Sequence, residues 1–276
     1  MVEPKESTRK VINTSEEEKQ TVLEVENKQF HPKIFNKNKS PFVNKALDWD
    51  DEEHFKIPAS ILKGIKEVHI WEKPSRIQGV AIPYIIKKDP DSKDPNFCES
   101  LIAQARNGAG KTGAFVIGSI LRVDPSIKKL QVICIAHTRE LVAQIYDVYS
   151  KVVSFAPEYR ICNLAEEGAK ITGEEQVIVT TIGKILNYLK NPRLKLDLST
   201  LRMFVLDEAD NFFMDERREN EIMQFHQALQ KLSQPVQYVF FSATFDKAIT
   251  DKLSELITEA NQINLKLDQL KLDNVS

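Results

Sequence analysis

The chain has 276 residues, of which 42% are hydrophobic and 28% charged, and its formal net charge is −2. That length can bury one sizeable core and leave a tail or linker over. The near-neutral charge excludes a surface that binds nucleic acid everywhere, so any such contact must use a local patch.

Residues 1–44 read as a charged tail. They carry the run Glu16-Glu17-Glu18-Lys19, and Lys33, Lys37 and Lys39 lie among Asn, Phe and Pro. Val22-Leu23-Glu24-Val25 could make one helical turn, but the stretch cannot bury a core. Residues 45–265 form the globular unit, with a clear pattern from Trp49 onward. Amphipathic spacing predicts helices over 59–68 and 77–87, followed by a polar loop over 88–96. Strands and helices then alternate. The strands are expected at 101–103, 132–136, 160–164, 177–180, 204–207 and 238–242, with a short last one near Ile263. The helices are expected at 111–123, 138–153, 182–190, 216–232 and 246–259. This alternation predicts an α/β fold, a parallel sheet covered by helices on both faces. Residues 266–276 are polar and read as the start of a linker.

Cys98, Cys134 and Cys162 are far apart and odd in number, with no metal spacing or disulfide framework, which suits a reducing compartment. Cys134 and Cys162 lie in apolar runs and read as core. There is no signal-peptide core and no apolar stretch long enough to cross a bilayer.

Two segments carry chemistry. Ala105-Arg106-Asn107-Gly108-Ala109-Gly110-Lys111-Thr112 lies between a short strand and a helix start. Such a turn presents backbone N–H groups and the helix dipole to phosphates. Asn107, Gly108, Ala109 and Gly110 form its backbone. Lys111 would reach the β- and γ-phosphates, and the Thr112 hydroxyl would ligate Mg²⁺. The strict pattern wants Gly where Ala105 stands. Asp207-Glu208-Ala209-Asp210 follows the apolar run 203–206. Asp207 would emerge at the carboxyl edge of a sheet, where it can hold Mg²⁺, and Glu208 could polarise an attacking water as general base. Alone, the first segment could be an ordinary Gly turn and the second a solvated strand end. Together, in these contexts, they point to a site for ATP.

The chain also resembles the DEAD-box RNA helicases, members of the RecA-like P-loop class. Pro74-Ser75-Arg76-Ile77-Gln78 resembles their Q motif, residues 105–112 motif I, His137-Thr138-Arg139-Glu140-Leu141 motif Ia and Thr181-Ile182-Gly183-Lys184 motif Ib. Asp207 to Asp210 spells motif II, and Ser242-Ala243-Thr244 motif III. Leu121-Arg122-Val123-Asp124-Pro125 and the closing Leu265-Lys266-Leu267-Asp268 to Leu272-Asp273-Asn274-Val275 are similar to the subgroup that remodels mRNA–protein particles during export at the nuclear pore.

The resemblance implies that the Gln78 amide selects adenine, with an upstream aromatic stacked on the base: Trp49, or Phe55 as its rival. It implies that Thr138, Arg139, Thr181, Gly183 and Lys184 face the RNA backbone, with Glu140 orienting Arg139, although both Thr residues could simply be helix N-caps. Ser242 and Thr244 would bond the Asp210 region and couple ATP state to RNA. His137 and Ile182 stand where the family usually has Pro, and Lys184 where it usually has Arg. Nothing after residue 244 resembles the second RecA-like domain that brings arginine fingers. The chain is therefore expected to be the first domain alone, monomeric and nearly inactive, working in cytoplasm and nucleus with a nuclear-pore propeller protein and a helicase activator as partners. Two other readings stand beside it: a docking module for such proteins, and another P-loop enzyme such as a small-molecule kinase.

Overall fold

The computed structural model describes residues 48–264 apart from positions 70, 89–91, 95, 192, 195, 245, 246, 258 and 259. The tail expected over 1–44 and the linker expected over 266–276 lie outside the described residues.

Two helices lead into the domain. Helix α1 (Ala59–Lys63) runs into a π-helical turn, Gly64–Val68, and α2 spans Arg76–Ile86. The sequence predicted one helix over 59–68. The change of pitch begins at Gly64, where a Cβ would stand 2.2 Å from the Val152 carbonyl oxygen. A close backbone approach of this kind, open only to glycine, lets the turn press onto a neighbouring helix end.

Strand β1 (Ser100–Gln104) then alternates with α3 (Lys111–Ile120), β2 (Val132–Ile135), α4 (Arg139–Val152), β3 (Ile161–Asn163), β4 (Val177–Thr180) and α5 (Ile182–Lys190). Next come β5 (Met203–Leu206), α6 (Ala209–Phe213), α7 (Glu216–Leu229), β6 (Gln237–Ser242), α8 (Lys247–Leu256) and β7 (Ala260–Asn264). The seven strands make one all-parallel sheet in the order β3-β4-β2-β5-β6-β1-β7. Helix α6 had no expectation in the sequence. Its five residues are too few for a periodic signal.

Side chains alternate along each strand, so every strand feeds two cores. Ala103, Val132, Cys134, Val177, Val205 and Phe241 pack under α1 to α4. Ile102, Ile133, Ile178, Phe204, Leu206 and Phe240 pack under α5 to α8. Both faces are apolar, which is why the strands read as continuous hydrophobic runs. Cys98 and Cys134 are buried and Cys162 is partly exposed, all as free thiols. No described helix is long and apolar enough to cross a membrane.

Candidate functional site

Five neighbouring strands, β4-β2-β5-β6-β1, release their following loops at one edge of the sheet. Those loops carry, in that order, Thr181, His137 with Thr138, Asp207, Ser242 with Thr244, and the glycine-rich turn. The ladder continues past the strand ends. Ala136 N–H donates to the Thr180 carbonyl, Asp207 N–H to the Ile135 carbonyl and Ala105 N–H to the Ser242 carbonyl, each at 3.1 Å. Backbone bonds, rather than side chains, therefore set the spacing of the loops.

In the glycine-rich turn, Gly108 and Gly110 hold φ of 78° and 97°, a left-handed conformation that glycine adopts without strain. Gly110 N-caps α3, so the dipole and free N–H groups of a ten-residue helix open into the turn. Lys111 is buried. Its Nζ donates to the Ala105 carbonyl (2.8 Å) and Asn107 Oδ1 (2.9 Å). Burial lowers its pKa, against the opposing charges of Asp207, Glu208 and Asp210. The start of α2 clamps the same turn from outside. The Ser75 hydroxyl donates to the Ala109 carbonyl at 2.9 Å, and Gln78 Nε2 to the Gly110 carbonyl at 3.2 Å. Gln78 Oε1 in turn accepts the Ser75 N–H at 2.7 Å, closing the helix start. Both ends of the Gln78 amide are thus engaged within the protein, and they tie it to the phosphate turn.

The acidic segment is equally ordered. Asp207 is 6% exposed, and burial, reinforced by the nearby Glu208 charge, raises its pKa to about 7 despite Lys111. Its Oδ1 accepts the Glu208 N–H at 3.0 Å. A carboxylate that its surroundings hold so weakly as an anion suits a divalent cation, which would restore the charge. Thr112, half-buried on the first turn of α3, can offer a hydroxyl to the same ion. Glu208 sits at φ 53°, left-handed backbone that costs a non-glycine residue about 1–2 kcal/mol. Its Oε2 accepts from Asn211 Nδ2 at 3.0 Å and lies 3.2 Å from His137 Nδ1. Asp210 Oδ2 accepts both the Thr244 hydroxyl (2.9 Å) and the Thr244 N–H (3.2 Å). Ser242 does not reach Asp210; its hydroxyl donates to the Thr244 carbonyl at 2.6 Å.

On the other side of the edge, α4 and α5 start side by side behind paired strands, Ile135 opposite Thr180. Thr138 caps α4, accepting the Leu141 N–H at 3.2 Å, whereas Thr181 makes no side-chain cap bond. Arg139, Glu140 and Gly183 are exposed, and Lys184 partly so. Two helix N-termini, hydroxyls and cations are chemically suited to phosphates and sugars rather than to base edges.

The sequence profile described as DEAD/DEAH box helicase matches residues 75–252. The chain belongs to this family. Among the DEAD/DEAH box relatives it resembles is the ATP-dependent RNA helicase dbp5 of Schizosaccharomyces pombe, 32% identical over 226 residues, which are 81% of this chain and 42% of that protein. A structure of S. cerevisiae Dbp5 bound to RNA and ADP BeF3 is 29% identical with a TM-score of 0.67, covering 79% of this chain and 52% of that one. An S. cerevisiae dbp5 variant bound to nup159, a gle1 variant, ip6 and adp is 30% identical with a TM-score of 0.66, covering 77% and 53%. The chain spans about half the length of the relatives it matches. The family match removes the small-molecule kinase.

Besides the Ser242 contact, two expectations within this DEAD/DEAH box domain need correction. Trp49 and Phe55 are 1% and 0% exposed and pack on each other at 5.6 Å in the core, so neither ring faces a base. Trp71, which sequence reading did not single out, is the aromatic that lies against Gln78. It is partly buried, stacks on His69 at 4.1 Å and converges with Gln78 on Gly113. Its signal was position: it lies seven residues before Gln78, on the same approach to α2. Glu140 makes no ion pair with Arg139 among the described residues, because consecutive helical side chains point apart. Ile182, in place of the usual Pro, is 5% exposed and anchors the start of α5 in the second core. That explains how the helix starts firmly without Pro.

Proposed function

We propose that this chain is the nucleotide- and RNA-binding half of an ATP-dependent RNA helicase. The observation that carries the reading is the single sheet edge on which the phosphate turn, Asp207 and Glu208 stand beside the exposed starts of α4 and α5. Gln78, once its amide releases Ser75 and Gly110, takes the adenine with Trp71, and residues 107–111 cradle the phosphates through N–H groups and Lys111. Lys111 must leave Ala105 and Asn107 to do so. Thr112 and Asp207 would hold Mg²⁺, which supplies charge neutralisation on the phosphate oxygens. Glu208 takes a proton from the attacking water. Its strained backbone and its bond to Asn211 fix the carboxylate for that task.

RNA lies along Thr138, Arg139, Thr181, Gly183 and Lys184, bound through its backbone without base reading. The Thr244–Asp210 bonds link motif III to the strand end that carries Glu208, a mechanical route between nucleotide state and RNA. Among the described residues, the cation that acts on Asp207 is Lys111. Charge on the γ-phosphoryl group therefore needs further neutralisation from a second RecA-like domain, worth roughly 10³–10⁵ in rate in related enzymes. The neighbour carrying nup159 and gle1 supports a nucleoporin and a helicase activator as partners, and with them a role in mRNA export at the nuclear pore, in cytoplasm and nucleus.

The test is steady-state ATPase of this chain with and without single-stranded RNA, repeated after a second RecA-like domain is supplied. Weak nucleotide binding, negligible turnover alone and RNA-stimulated turnover after addition are expected. Robust RNA-stimulated hydrolysis by the single chain would refute the two-domain reading.

A further inference from the structure

His137 stands where the family usually carries a proline, and the structure gives it a contact that proline cannot make. Its Nδ1 lies 3.2 Å from Glu208 Oε2, with the two side chains 16% and 23% exposed. The nitrogen is itself buried and has no directed hydrogen bond. A small ring rotation would aim its N–H at the carboxylate. The ring is held edge-on against Phe212 at 6.3 Å and 88°, and Phe212 lies buried in α6, the helix that Glu208 N-caps. His137 also leaves β2, the strand between β4 and β5, one residue before the Thr138 cap of α4. It is therefore the side chain nearest in sequence to the RNA-facing turn that also touches the acidic segment.

We propose that His137 is a positioning residue for Glu208, which passes displacement of the Thr138–Arg139 turn to the carboxylate that activates water. This rests on the reading of Glu208 as general base. With the ring rotated, a directional N–H···O contact would restrict the carboxylate rotamer, and a turn shifted by RNA would alter that contact without touching the nucleotide.

Two measurements on the 276-residue chain test it. In ¹⁵N-histidine NMR, Glu208→Gln should move the His137 ring resonances, and so should single-stranded oligouridylate added to the unsubstituted chain. Unmoved resonances with Glu208→Gln would overturn the contact, and unmoved resonances with oligouridylate would overturn the link to the RNA side. In single-turnover hydrolysis, with the chain supplied with a second RecA-like domain and in excess over ATP and Mg²⁺, His137→Ala should slow the chemical step roughly tenfold. ADP affinity should stay within about twofold, and His137→Gln, whose amide can also donate, should recover most of the rate. An unchanged rate in His137→Ala, with Glu208→Gln slow, would refute the role of His137 alone. An unchanged rate in Glu208→Gln would instead refute the base assignment on which it rests.

Discussion

Gly113 lies in the first turn of α3, beneath the two side chains assigned to adenine. A Cβ there would stand 2.4 Å from Gln78 Nε2 and 2.7 and 2.8 Å from Trp71 Cη2 and Cζ3. Ordinary contact begins near ~3.5 Å, so Gly113→Ala must push both groups back by about 1 Å. Alanine is the better helix former by about 0.5–1 kcal/mol, while overpacking costs about 1–3 kcal/mol. The net loss of stability should therefore be modest, about 0–2.5 kcal/mol. The loss of adenine recognition should be larger relative to its size. A displaced bidentate amide forfeits about 1–3 kcal/mol of discrimination, or roughly 5- to 150-fold. Gly118→Ala provides the control. It lies further along α3 and drives a Cβ to 2.7 Å from Ile85 Cδ1 of α2, meeting neither Gln78 nor Trp71. The assay is titration of the chain with ADP and GDP, beside thermal melts of all three proteins. Gly113→Ala should lose ADP affinity and ADP-over-GDP preference, and Gly118→Ala stability only. If Gly113→Ala kept its preference, or both variants lost binding in step with stability, Gln78 and Trp71 would not form the adenine contact.

Lys111→Ala should weaken nucleotide binding by removing a phosphate countercharge, whereas Glu208→Gln should bind nearly normally and fail to hydrolyse in the two-domain enzyme; equal affinity defects would refute this division. Asp207, ionising near pH 7 when folded and near 3.8 when unfolded, binds more protons in the native state, so apo stability should fall as pH rises from about 4 to about 7. Asp207→Asn should accordingly raise the melting temperature at pH 8, with a gain on the order of 2–4 kcal/mol, and leave it unchanged at pH 4; equal effects at both values would show that the carboxylate is not strained. Thr244→Val should leave ADP affinity intact but lower RNA stimulation of the two-domain ATPase, since it removes the hydroxyl bond to Asp210; full stimulation would rule that bond out as the link.

The strands were legible because both faces of a parallel sheet are apolar, and β4 and α5 match their expected bounds. Motifs that depend on backbone shape, 105–112 and 207–210, were legible from residue type and spacing. Features set by tertiary contact were not. Trp49 and Phe55 look like platform aromatics in sequence, and only packing under α1 reveals them as core. Trp71 carries the same letter but sits beside Gln78, a proximity that no periodicity encodes. The His137–Glu208 approach joins residues 71 positions apart through adjacent strands, and the sequence showed it only as a departure from family spelling.

The left-handed backbone at Glu208 has a practical consequence for anyone tuning this domain. A screen that rewards heat resistance would be drawn to position 208, because glycine there relieves about 1 kcal/mol of strain. Its winners would melt later and hydrolyse nothing. At that residue robustness and chemistry pull in opposite directions, and a stabilised domain with Glu208 intact must find its gains in the two cores instead.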